Sequence, residues 1–418
     1  MSTYLSRVAV RGLLMIWEPS AVEEASVLEV CVQPVRWFAV GSAERIEPRA
    51  GARAAEEALA RDDPKLLVVF SSPSHDLRAL LREIRLCAGA VPLIGCTTAG
   101  EIATPGPSDA SVVVIALGGE GFAVQTAVAT DASRDLRAAG AWVAQCAPAG
   151  DDLPHRVLML LTDGLVGDQQ EIVRGAYGVT GAGVPFVGGC AGDDLKMTQT
   201  FQFHNDEVLT DSVVGALIAS AAPFGIGVRH GWRRVGAPML VTESSGNRIY
   251  ALDDRPALDV YLEHLSVDKP DPDDPEALAR LSLMHPLGLS RPGSQEQIRF
   301  LSGGDFDERS LSSLAEVSQG ALVWIMEGDE RSVLEATDAA GEDALAALDG
   351  HAPLGMIAFD CIARRSVLGE EGIRAEIDRL AMIAPGTPVA GFYTYGEIAR
   401  TRGLRGFHNQ TLVVLAIA

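Results

Sequence analysis

Short apolar runs alternate with amphipathic stretches along most of this chain. Residues 66–72, LLVVFSS, form a continuous apolar run of the length of a buried strand. Residues 75–87, HDLRALLREIRLC, instead place apolar side chains at helical spacing. The apolar run that opens 91–103 and the segment SVVVIAL at 111–117 again have the pattern of strands. The pattern predicts a unit of strand, helix, strand, Gly-Glu turn and strand.

The turn of this unit occurs a second time, close to the end of the sequence. VPLIGCTTAGEIA at 91–103 and TPVAGFYTYGEIA at 387–399 share seven of thirteen residues. The flanking pattern repeats too, with a strand at 353–361, an acidic amphipathic helix near 369–383 and a final strand at 408–417. The repetition therefore covers the whole unit and not only its turn.

A third copy of the unit lies between these two. It has a strand at 156–164, a helix at 169–179, the turn VPFVGGCAGDD at 184–194 and a strand at 212–220. In this turn Asp193 takes the place of the glutamate. We expect three related units.

Strands that alternate with helices predict an α/β fold with a mainly parallel sheet, and a mixed α+β fold stays open. The final strand of each unit is expected to pair antiparallel. Residues 229–254 resemble a hairpin around Ser-Ser-Gly-Asn, and a helix is expected to begin near Pro256. The predicted domains are an N-terminal extension at 1–35, a first domain at 36–230 and a second at 231–418.

Composition and charge narrow the class of protein. Of 418 residues, 47% are hydrophobic and 22% charged, which is typical of a folded globular chain. The formal net charge of -22 disfavours binding to nucleic acid and to anionic membranes. Six scattered cysteines without CxxC spacing favour reduced thiols and a cytoplasmic location.

The glycine-acid turns are the strongest candidates for a binding site. Glycines let a backbone approach a ligand closely, and the acid that follows is presented at the carboxyl end of a strand. The simpler alternative is that each glycine forms a tight turn and each acid caps a backbone amide. The three pairs are Gly100–Glu101, Gly192–Asp193 and Gly396–Glu397.

Other reactive residues give weaker signals. Asp163 ends a strand before a helix, where it could capture a ligand or cap the helix. Arg364, which follows Cys361, could bind an anionic ligand or pair with the acidic helix after it. An enzyme that uses Asp163, Cys96 or Glu101 ranks last, because no nucleophile and base can be paired from the sequence.

The eight histidines contain no zinc-binding spacing. A haem would need only one axial histidine in an apolar pocket. His285 and His408 are the candidates, because each borders an apolar strand. The alternative for each ring is a hydrogen bond to local backbone. No cofactor is predicted, and haem stays open.

Together these motifs resemble the FIST proteins, with both N-terminal and C-terminal FIST regions. The resemblance covers roughly residues 36–418, and its most specific stretches are VPLIGCTTAGEI, TDGLVGDQQEIVRG, VPFVGGCAGDD, CIARRSVLG, GFYTYGEIA and FHNQTLVVLAI. It implies a bacterial sensory protein that binds a small polar, amino acid-like ligand. Because no output segment follows the last FIST strand, signalling is expected through a separate partner such as a histidine kinase or a cyclic-diguanylate enzyme. Some members resemble haem-binding nitric-oxide sensors, which gives the alternative function.

Combined with the three turns, the resemblance implies a shared pocket in which the acids bind an amine and Arg364 binds a carboxylate. The candidate ligand-binding residues are Cys96, Thr97, Gly100, Glu101, Asp163, Gly189, Gly192, Asp193, Arg364, Tyr395, Gly396, Glu397 and Asn409.

Overall fold

The computed structural model describes residues 36–44, 46–47, 49–146, 153–265, 277–290, 296–401, 403 and 406–418. The predicted N-terminal extension at 1–35 lies outside these residues. Within them, helices alternate with strands along the chain, and the strands form mixed sheets. This confirms the predicted α/β fold class.

Three units share one order of elements: strand, helix, strand, helix, strand, hairpin and final strand. Unit 1 contains β1 (Trp37–Ala43), α1 (Ala50–Ala58), β2 (Pro64–Ser71), α2 (Leu77–Ala88), β3 (Leu93–Thr97), β4 (Glu101–Ala103), β5 (Gly106–Ser108) and β6 (Val112–Gly118). Unit 2 contains β7 (Phe122–Ala129), α3 (Leu136–Val143), β8 (His155–Thr162), α4 (Gln169–Thr180), β9 (Phe186–Cys190), β10 (Gln202–His204), β11 (Glu207–Leu209) and β12 (Val213–Ser220). A short 3-10 helix, Ala132–Arg134, precedes α3.

Unit 3 is interrupted after its first strand by an inserted module. The strand is β13 (Phe224–Arg229), and the module contains β14 (Arg233–Ser245), β15 (Arg248–Leu252), β16 (Arg255–Pro256), α5 (Ala257–Leu265), α6 (Ala277–Met284), β17 (Leu287–Leu289), β18 (Gln297–Arg299), β19 (Leu301–Asp305), β20 (Ser310–Ser313) and β21 (Leu322–Glu327). Unit 3 then continues with α7 (Glu330–Ala346), β22 (Gly355–Cys361), α8 (Ile362–Ile383), β23 (Val389–Thr394), β24 (Glu397–Arg400), β25 (Phe407–His408) and β26 (Leu412–Ile417).

Helix α2 illustrates how local sequence sets these elements. Asp76 caps its start by accepting a hydrogen bond from the Ala79 N–H at 3.0 Å. Leu77, Leu80, Leu81 and Ile84 are buried, and their spacing places them on one face of the helix. This face packs against the sheet and anchors the helix there.

Each unit donates its hairpin to the sheet of another unit. The strand orders are β1-β6-β2-β3-β10-β11, β7-β12-β8-β9-β24-β25 and β13-β26-β22-β23-β4-β5. Unit 2 thus completes the sheet of unit 1, unit 3 completes that of unit 2, and unit 1 completes that of unit 3. The exchange is cyclic, so the three units form one closed body.

The expectation of a mainly parallel sheet is wrong. Each of these three sheets has one parallel pair, namely β2–β3, β8–β9 and β22–β23. The final strand of each unit enters between the first two strands and pairs antiparallel with both, because it returns from the exchanged hairpin. Its predicted antiparallel pairing is confirmed.

The inserted module forms its own antiparallel sheet, β18-β17-β21-β14-β15-β20-β19, with β16 paired to β15. The predicted hairpin at 229–254 corresponds to β14 and β15. The helix expected near Pro256 is α5, which begins at Ala257.

The inner faces of the three exchanged sheets meet in one apolar cluster. Phe70, Phe359 and Phe392 pack at its centre, with ring centroids 4.5 to 6.4 Å apart. These rings lie near the carboxyl ends of β2, β22 and β23. The shared core therefore holds the three glycine-acid turns beside one another.

Candidate functional site

The three turns contact one another directly through their backbones. The Gly192 N–H donates to the Thr97 carbonyl at 2.9 Å, and the Ala99 N–H donates to the Tyr393 carbonyl at 3.0 Å. The Cys190 N–H donates to the Gly396 carbonyl at 2.7 Å, so each turn is hydrogen-bonded to both of the others. We call the segments 97–100, 190–193 and 393–396 the turn ring.

Glycines in and directly beside the turn ring permit this close approach. A Cβ atom on Gly192 would lie 2.8 Å from the Ala99 nitrogen, and one on Gly189 would lie 2.8 Å from Thr394 Cγ2. Gly100 has a φ of 119°, and a Cβ atom there would lie 2.1 Å from Arg365 Nη1. Each glycine is thus needed for packing between units.

The acid that follows the glycine fixes the exchanged hairpin. Glu397 accepts hydrogen bonds from Thr394 Oγ1 at 2.8 Å and from the Thr411 N–H at 3.0 Å. Glu101 accepts from Thr98 Oγ1 and from the Ser111 N–H and hydroxyl. Both carboxyl groups are fully buried and hold the start of one hairpin to its end.

In unit 2 the position equivalent to Glu101 and Glu397 is occupied by Gln202. The prediction that Asp193 takes the place of the glutamate in this unit is therefore wrong. Gln202 pairs with Cys96, just as Glu101 pairs with Phe392 and Glu397 with Gly189. A longer segment separates the turn from the hairpin in unit 2, so the next residue of the turn cannot reach this position. Gln202 bonds Thr200 Oγ1 at 3.2 Å and accepts from the Ser212 N–H at 3.3 Å.

Burial makes Glu101 and Glu397 weaker acids than an exposed glutamate. It raises the pKa of Glu101 to about 7, although hydrogen bonds from Ser111 and Thr98 oppose the rise. Burial likewise raises the pKa of Glu397 to about 8. No arginine or lysine of the described part of the chain forms an ion pair with either carboxyl group. An uncharged side chain suits this position, as Gln202 illustrates.

Asp193 organises the loop that follows its turn. Its carboxylate accepts hydrogen bonds from the N–H groups of Met197, Thr198 and Gln199 at 2.7 to 3.0 Å, and from the Tyr395 hydroxyl. Burial acts against ionisation, but these hydrogen bonds outweigh it and lower the pKa of Asp193. Tyr395 of unit 3 thereby ties down a loop of unit 2.

Asp163 also has a full set of local partners. It accepts from the Leu165 N–H at 3.0 Å, from Thr200 Oγ1 at 2.8 Å and from the Asp211 N–H at 2.9 Å. Cys96 is completely buried, and burial raises the pKa of its thiol well above the usual value. In this structure neither side chain is open to solvent.

Arg364 lies in a buried ionic cluster and not in a cavity. Its guanidinium group bonds Asp360 at 2.6 Å, Glu376, Thr337 Oγ1 at 2.9 Å and the His230 carbonyl at 3.0 Å. Burial and the neighbouring charge of Glu376 raise the pKa of Asp360 well above its usual range. Glu376 belongs to the acidic helix predicted near 369–383. Arg364 therefore pairs with that helix, which is the alternative to binding an anionic ligand.

Asn409 is buried, and neither amide atom has a partner in the described residues. Its position in the hairpin loop of unit 3 corresponds to Asp109 in unit 1. Both residues are followed by one with a positive φ, Gln410 at 53° and Ala110 at 55°. The inserted module approaches Asn409 through Gln297, whose amide donates to the Phe407 carbonyl at 2.8 Å.

An open cavity of about 520 Å³ lies beside the turn ring. We call it the junction cleft, because all three units line it. Its lining residues are Ala99, Asp109 and Ala110 of unit 1, Asp194 and Leu195 of unit 2, and Ile362, Arg365, Ser366, Gly369 and Glu370 of unit 3. Gly369 has a φ of 61° and divides α8 into two segments at the cleft.

The charges of the junction cleft are unequally paired. Arg365 makes two hydrogen bonds to Asp109, at 2.7 and 2.9 Å, and its guanidinium carbon lies 4.9 Å from the centre of the Tyr393 ring. Within the described residues, the Asp194 carboxylate accepts one long hydrogen bond, from the Ser72 hydroxyl at 3.4 Å, and burial raises its pKa against the opposing effect of the Lys196 charge. Glu370 lies 3.7 Å from Arg365 and is largely exposed. One arginine thus faces three carboxylates.

The two candidate haem ligands are bonded to local backbone. His285 Nδ1 lies 3.3 Å from the Leu281 carbonyl oxygen, and His408 Nε2 lies 3.0 Å from that of Ala399. Neither residue lines the junction cleft. No group of three or more His, Cys, Asp or Glu within the described ranges is arranged to hold a metal ion.

Two residues that line the cleft directly follow residues that the sequence indicated. Arg365 and Asp194 line it, whereas the preceding residues, Arg364 and Asp193, are buried. Consecutive side chains of a helix point in different directions, which separates Arg365 from Arg364. The motifs therefore located the region of the cleft, and the structure was needed to identify the side chains that face it.

The fold and cleft define an α/β protein of three repeated units that together line an open cavity of small-molecule size. The chain belongs to the FIST family: the FIST N domain matches residues 65–255 and the FIST C domain matches residues 257–400. FIST domains are sensory domains of signal-transduction proteins. The predicted domain limits, 36–230 and 231–418, stay predictions.

Several proteins are similar in sequence to this chain over different lengths. An uncharacterized protein of Mycobacterium tuberculosis (strain H37Rv) is 27% identical over 374 residues, which is 88% of this chain and 94% of the relative. An uncharacterized protein of Mycobacterium bovis is 28% identical over 234 residues, 55% of this chain and 59% of the relative. One from Methanocaldococcus jannaschii is 29% identical over 164 residues, 37% of this chain and 32% of the relative.

No helix within the described residues combines the length and apolar character that a membrane crossing requires.

Proposed function

We propose that this protein senses a small amine-bearing, amino acid-like molecule in the junction cleft and signals through a separate partner such as a histidine kinase or a cyclic-diguanylate enzyme. The observation that carries the proposal is that all three units line one cleft. A ligand there contacts the turns of units 1 and 2 and both segments of α8. Occupancy would therefore change contacts among all three units.

The volume and chemistry of the cleft support a small polar ligand. A cavity of about 520 Å³ lies within the range of about 300 to 1,000 Å³ that is typical of small-molecule sites. Asp194 and Glu370 offer carboxylates to an ammonium group, and Leu195 and Ile362 offer apolar surface to a short aliphatic part. The net charge of -22 further attracts a cation to the surface.

Arg365 gives a second recognition group for an amino acid-like ligand. It already binds Asp109, so a ligand carboxylate would have to share or replace that contact. The Tyr393 ring and the Ala99 carbonyl, 3.0 Å from Nη1, keep the guanidinium in place during such an exchange.

A thermal-shift screen tests the proposal with defined probes. Amino acids and diamines such as arginine, lysine and putrescine are compared with the dicarboxylate succinate. We expect at least one amine to raise Tm by about 2 to 5 °C near a hundredfold excess over Kd, and succinate to have no effect. Asp194→Asn should abolish the shift, whereas Asp206→Asn, an exposed change outside the cleft, should retain it.

Two results would contradict the proposal. One is stabilisation by succinate in preference to the amines. The other is an amine shift that persists unchanged in the Asp194→Asn and Glu370→Gln variants.

A further inference from the structure

A second cavity, of about 360 Å³, adjoins the junction cleft. It is lined by the hairpin turn of unit 1 at 105–109, by the second segment of α8 and by Glu44, and we call it the hairpin cavity. Asp109, Arg365 and Glu370 line both cavities. These three side chains therefore form a common wall.

The common wall has a fixed inner side and an exposed outer side. Arg365 makes two hydrogen bonds to Asp109 and a third to the Ala99 carbonyl, and its side chain is only 14% exposed. The side chains of Asp109 and Glu370 are 64% and 81% exposed. A ligand longer than the junction cleft can thus extend along the exposed carboxylates into the hairpin cavity while Arg365 stays in place.

Two further elements bring charged groups to the hairpin cavity. After the break at Gly369, the second segment of α8 carries Glu370 and, one turn later, Arg374. Glu44 directly follows β1, whose last residue, Ala43, pairs with Val112 of β6. This pairing places the exposed Glu44 beside the loop that carries Asp109.

The two cavities together are lined by more carboxylates than guanidinium groups. The charged lining residues are Glu44, Asp109, Asp194 and Glu370 against Arg365 and Arg374. Four against two leaves a formal charge of -2. Lys196, whose charge also acts on Asp194, lines neither cavity. A ligand with two cationic groups balances this charge, whereas a ligand with one leaves part of it uncompensated.

The carboxylates that belong to one cavity alone lie on opposite sides of the wall. Asp194 lines only the junction cleft, and Glu44 lines only the hairpin cavity. Arg365 stands between them and offers a guanidinium group to a carboxylate. Apolar surface is present on both sides, from Ile362 in the cleft and from Ile373 in the hairpin cavity. This order of groups matches an amino acid head group followed by an aliphatic chain with a cationic end.

We propose that the ligand is a dibasic amino acid, whose α-ammonium group binds Asp194, whose carboxylate binds Arg365 and whose second cationic group binds Glu44. This inference rests on the proposed function and names the ligand class for the same site. Glu44 is then the residue that selects a dibasic ligand over a monobasic one.

Two matched probes test the selection. L-lysine and L-norleucine have side chains of the same carbon skeleton and differ in the terminal ammonium group. In calorimetric titrations of the full chain, we expect lysine to bind at least fivefold more tightly, which is near the upper limit for one exposed ion pair. Glu44→Gln should weaken lysine binding and leave norleucine binding unchanged, so that the two affinities differ by less than about twofold.

Glu47→Gln is the matched control. It removes the same charge three residues away, where Glu47 pairs with Arg53 and lines neither cavity. This variant should keep the preference for lysine.

Three results would overturn the inference and leave the proposed amine site in place. They are equal affinities of the wild type for lysine and norleucine, a preference for lysine that survives in Glu44→Gln, and an equal loss of the preference in Glu44→Gln and Glu47→Gln. Binding of neither probe to the wild type would instead contradict the proposed function, and this inference with it.

Discussion

Three equivalent residues of the hairpins, Glu101, Gln202 and Glu397, carry different chemistry in one environment. Each holds the start of an exchanged hairpin to its end, and each is fully buried. Two are acids whose pKa values burial raises to about 7 and about 8, and the third is an amide. The protein itself thus contains the neutral variant of this position.

The raised pKa values predict how stability depends on pH. In the unfolded chain both glutamates ionise near pH 4.3, so folding must keep them protonated or bury a charge at neutral pH. Their contribution to the free energy of unfolding is therefore complete below about pH 4 and is lost as pH rises toward 7 and 8. Chemical unfolding of the wild type and of Glu101→Gln/Glu397→Gln should give free energies that diverge by several kcal/mol, on the order of 3 or more, between pH 5 and pH 9.

Gln202→Glu is the reciprocal variant. It adds a third buried carboxyl group and should destabilise the protein at pH 8 more than at pH 5. Parallel pH profiles for the wild type and both variants would contradict the proposed role of burial.

The cluster around Arg364 makes a second residue-scale prediction. Burial and the charge of Glu376 strongly raise the pKa of Asp360, so this side chain is uncharged near neutral pH and Asp360→Asn keeps it uncharged. We therefore expect Asp360→Asn to change the free energy of unfolding by no more than about 1 kcal/mol. Arg364→Ala leaves Glu376 without its buried partner and should cost about 3 to 5 kcal/mol. Urea unfolding at pH 7 measures both, and equal losses in the two variants would contradict this account.

At the scale of elements, the exchanged hairpins determine which parts can fold. A fragment of residues 36–222 lacks β24 and β25, which complete the sheet of unit 2, and its β4 and β5 have no sheet to join. We expect this fragment alone to lose the cooperative thermal transition of the full chain. Mixing it with residues 223–418 should restore the transition, as measured by circular dichroism. A fragment that unfolds cooperatively at the wild-type Tm would contradict the interdependence of the units.

The sequence predicted part of these elements for physical reasons. The strands, helices and turns of the repeat have clear periodicity, so three copies of its later half were found. The first strand and helix of each unit were missed, because the alanine-rich α1 and the weakly apolar β7 have little pattern. The hairpin exchange was also missed, since periodicity carries no information about which sheet a strand joins.

The candidate site illustrates the same limit. Convergence of the three turns follows from the cyclic exchange and could only be raised as a question from the repeats. Asp193 and Arg364 were chosen for their chemistry, but their neighbours Asp194 and Arg365 line the cleft. Whether a given residue faces a cavity or the core depends on packing between units, which one sequence does not reveal.

At the scale of the whole molecule, the three units divide two roles. The turn ring and its buried acids hold the units together, and the junction cleft offers the carboxylates that a ligand can reach. A structural set of acids, which includes Glu101 and Glu397, is therefore distinct from the proposed ligand-binding set, which includes Asp194 and Glu370. These two sets respond differently to substitution by an amide.

Calorimetric titration of the amine that gives the largest thermal shift tests this separation most directly. The wild type, Glu101→Gln and Asp194→Asn are titrated at pH 6, where Glu101 is largely protonated in the folded protein. We expect a Kd within about twofold of the wild type for Glu101→Gln and at least tenfold weaker binding for Asp194→Asn, which is about 1.4 kcal/mol. Loss of binding in Glu101→Gln with unchanged binding in Asp194→Asn would contradict it, and would place the ligand at the turn ring.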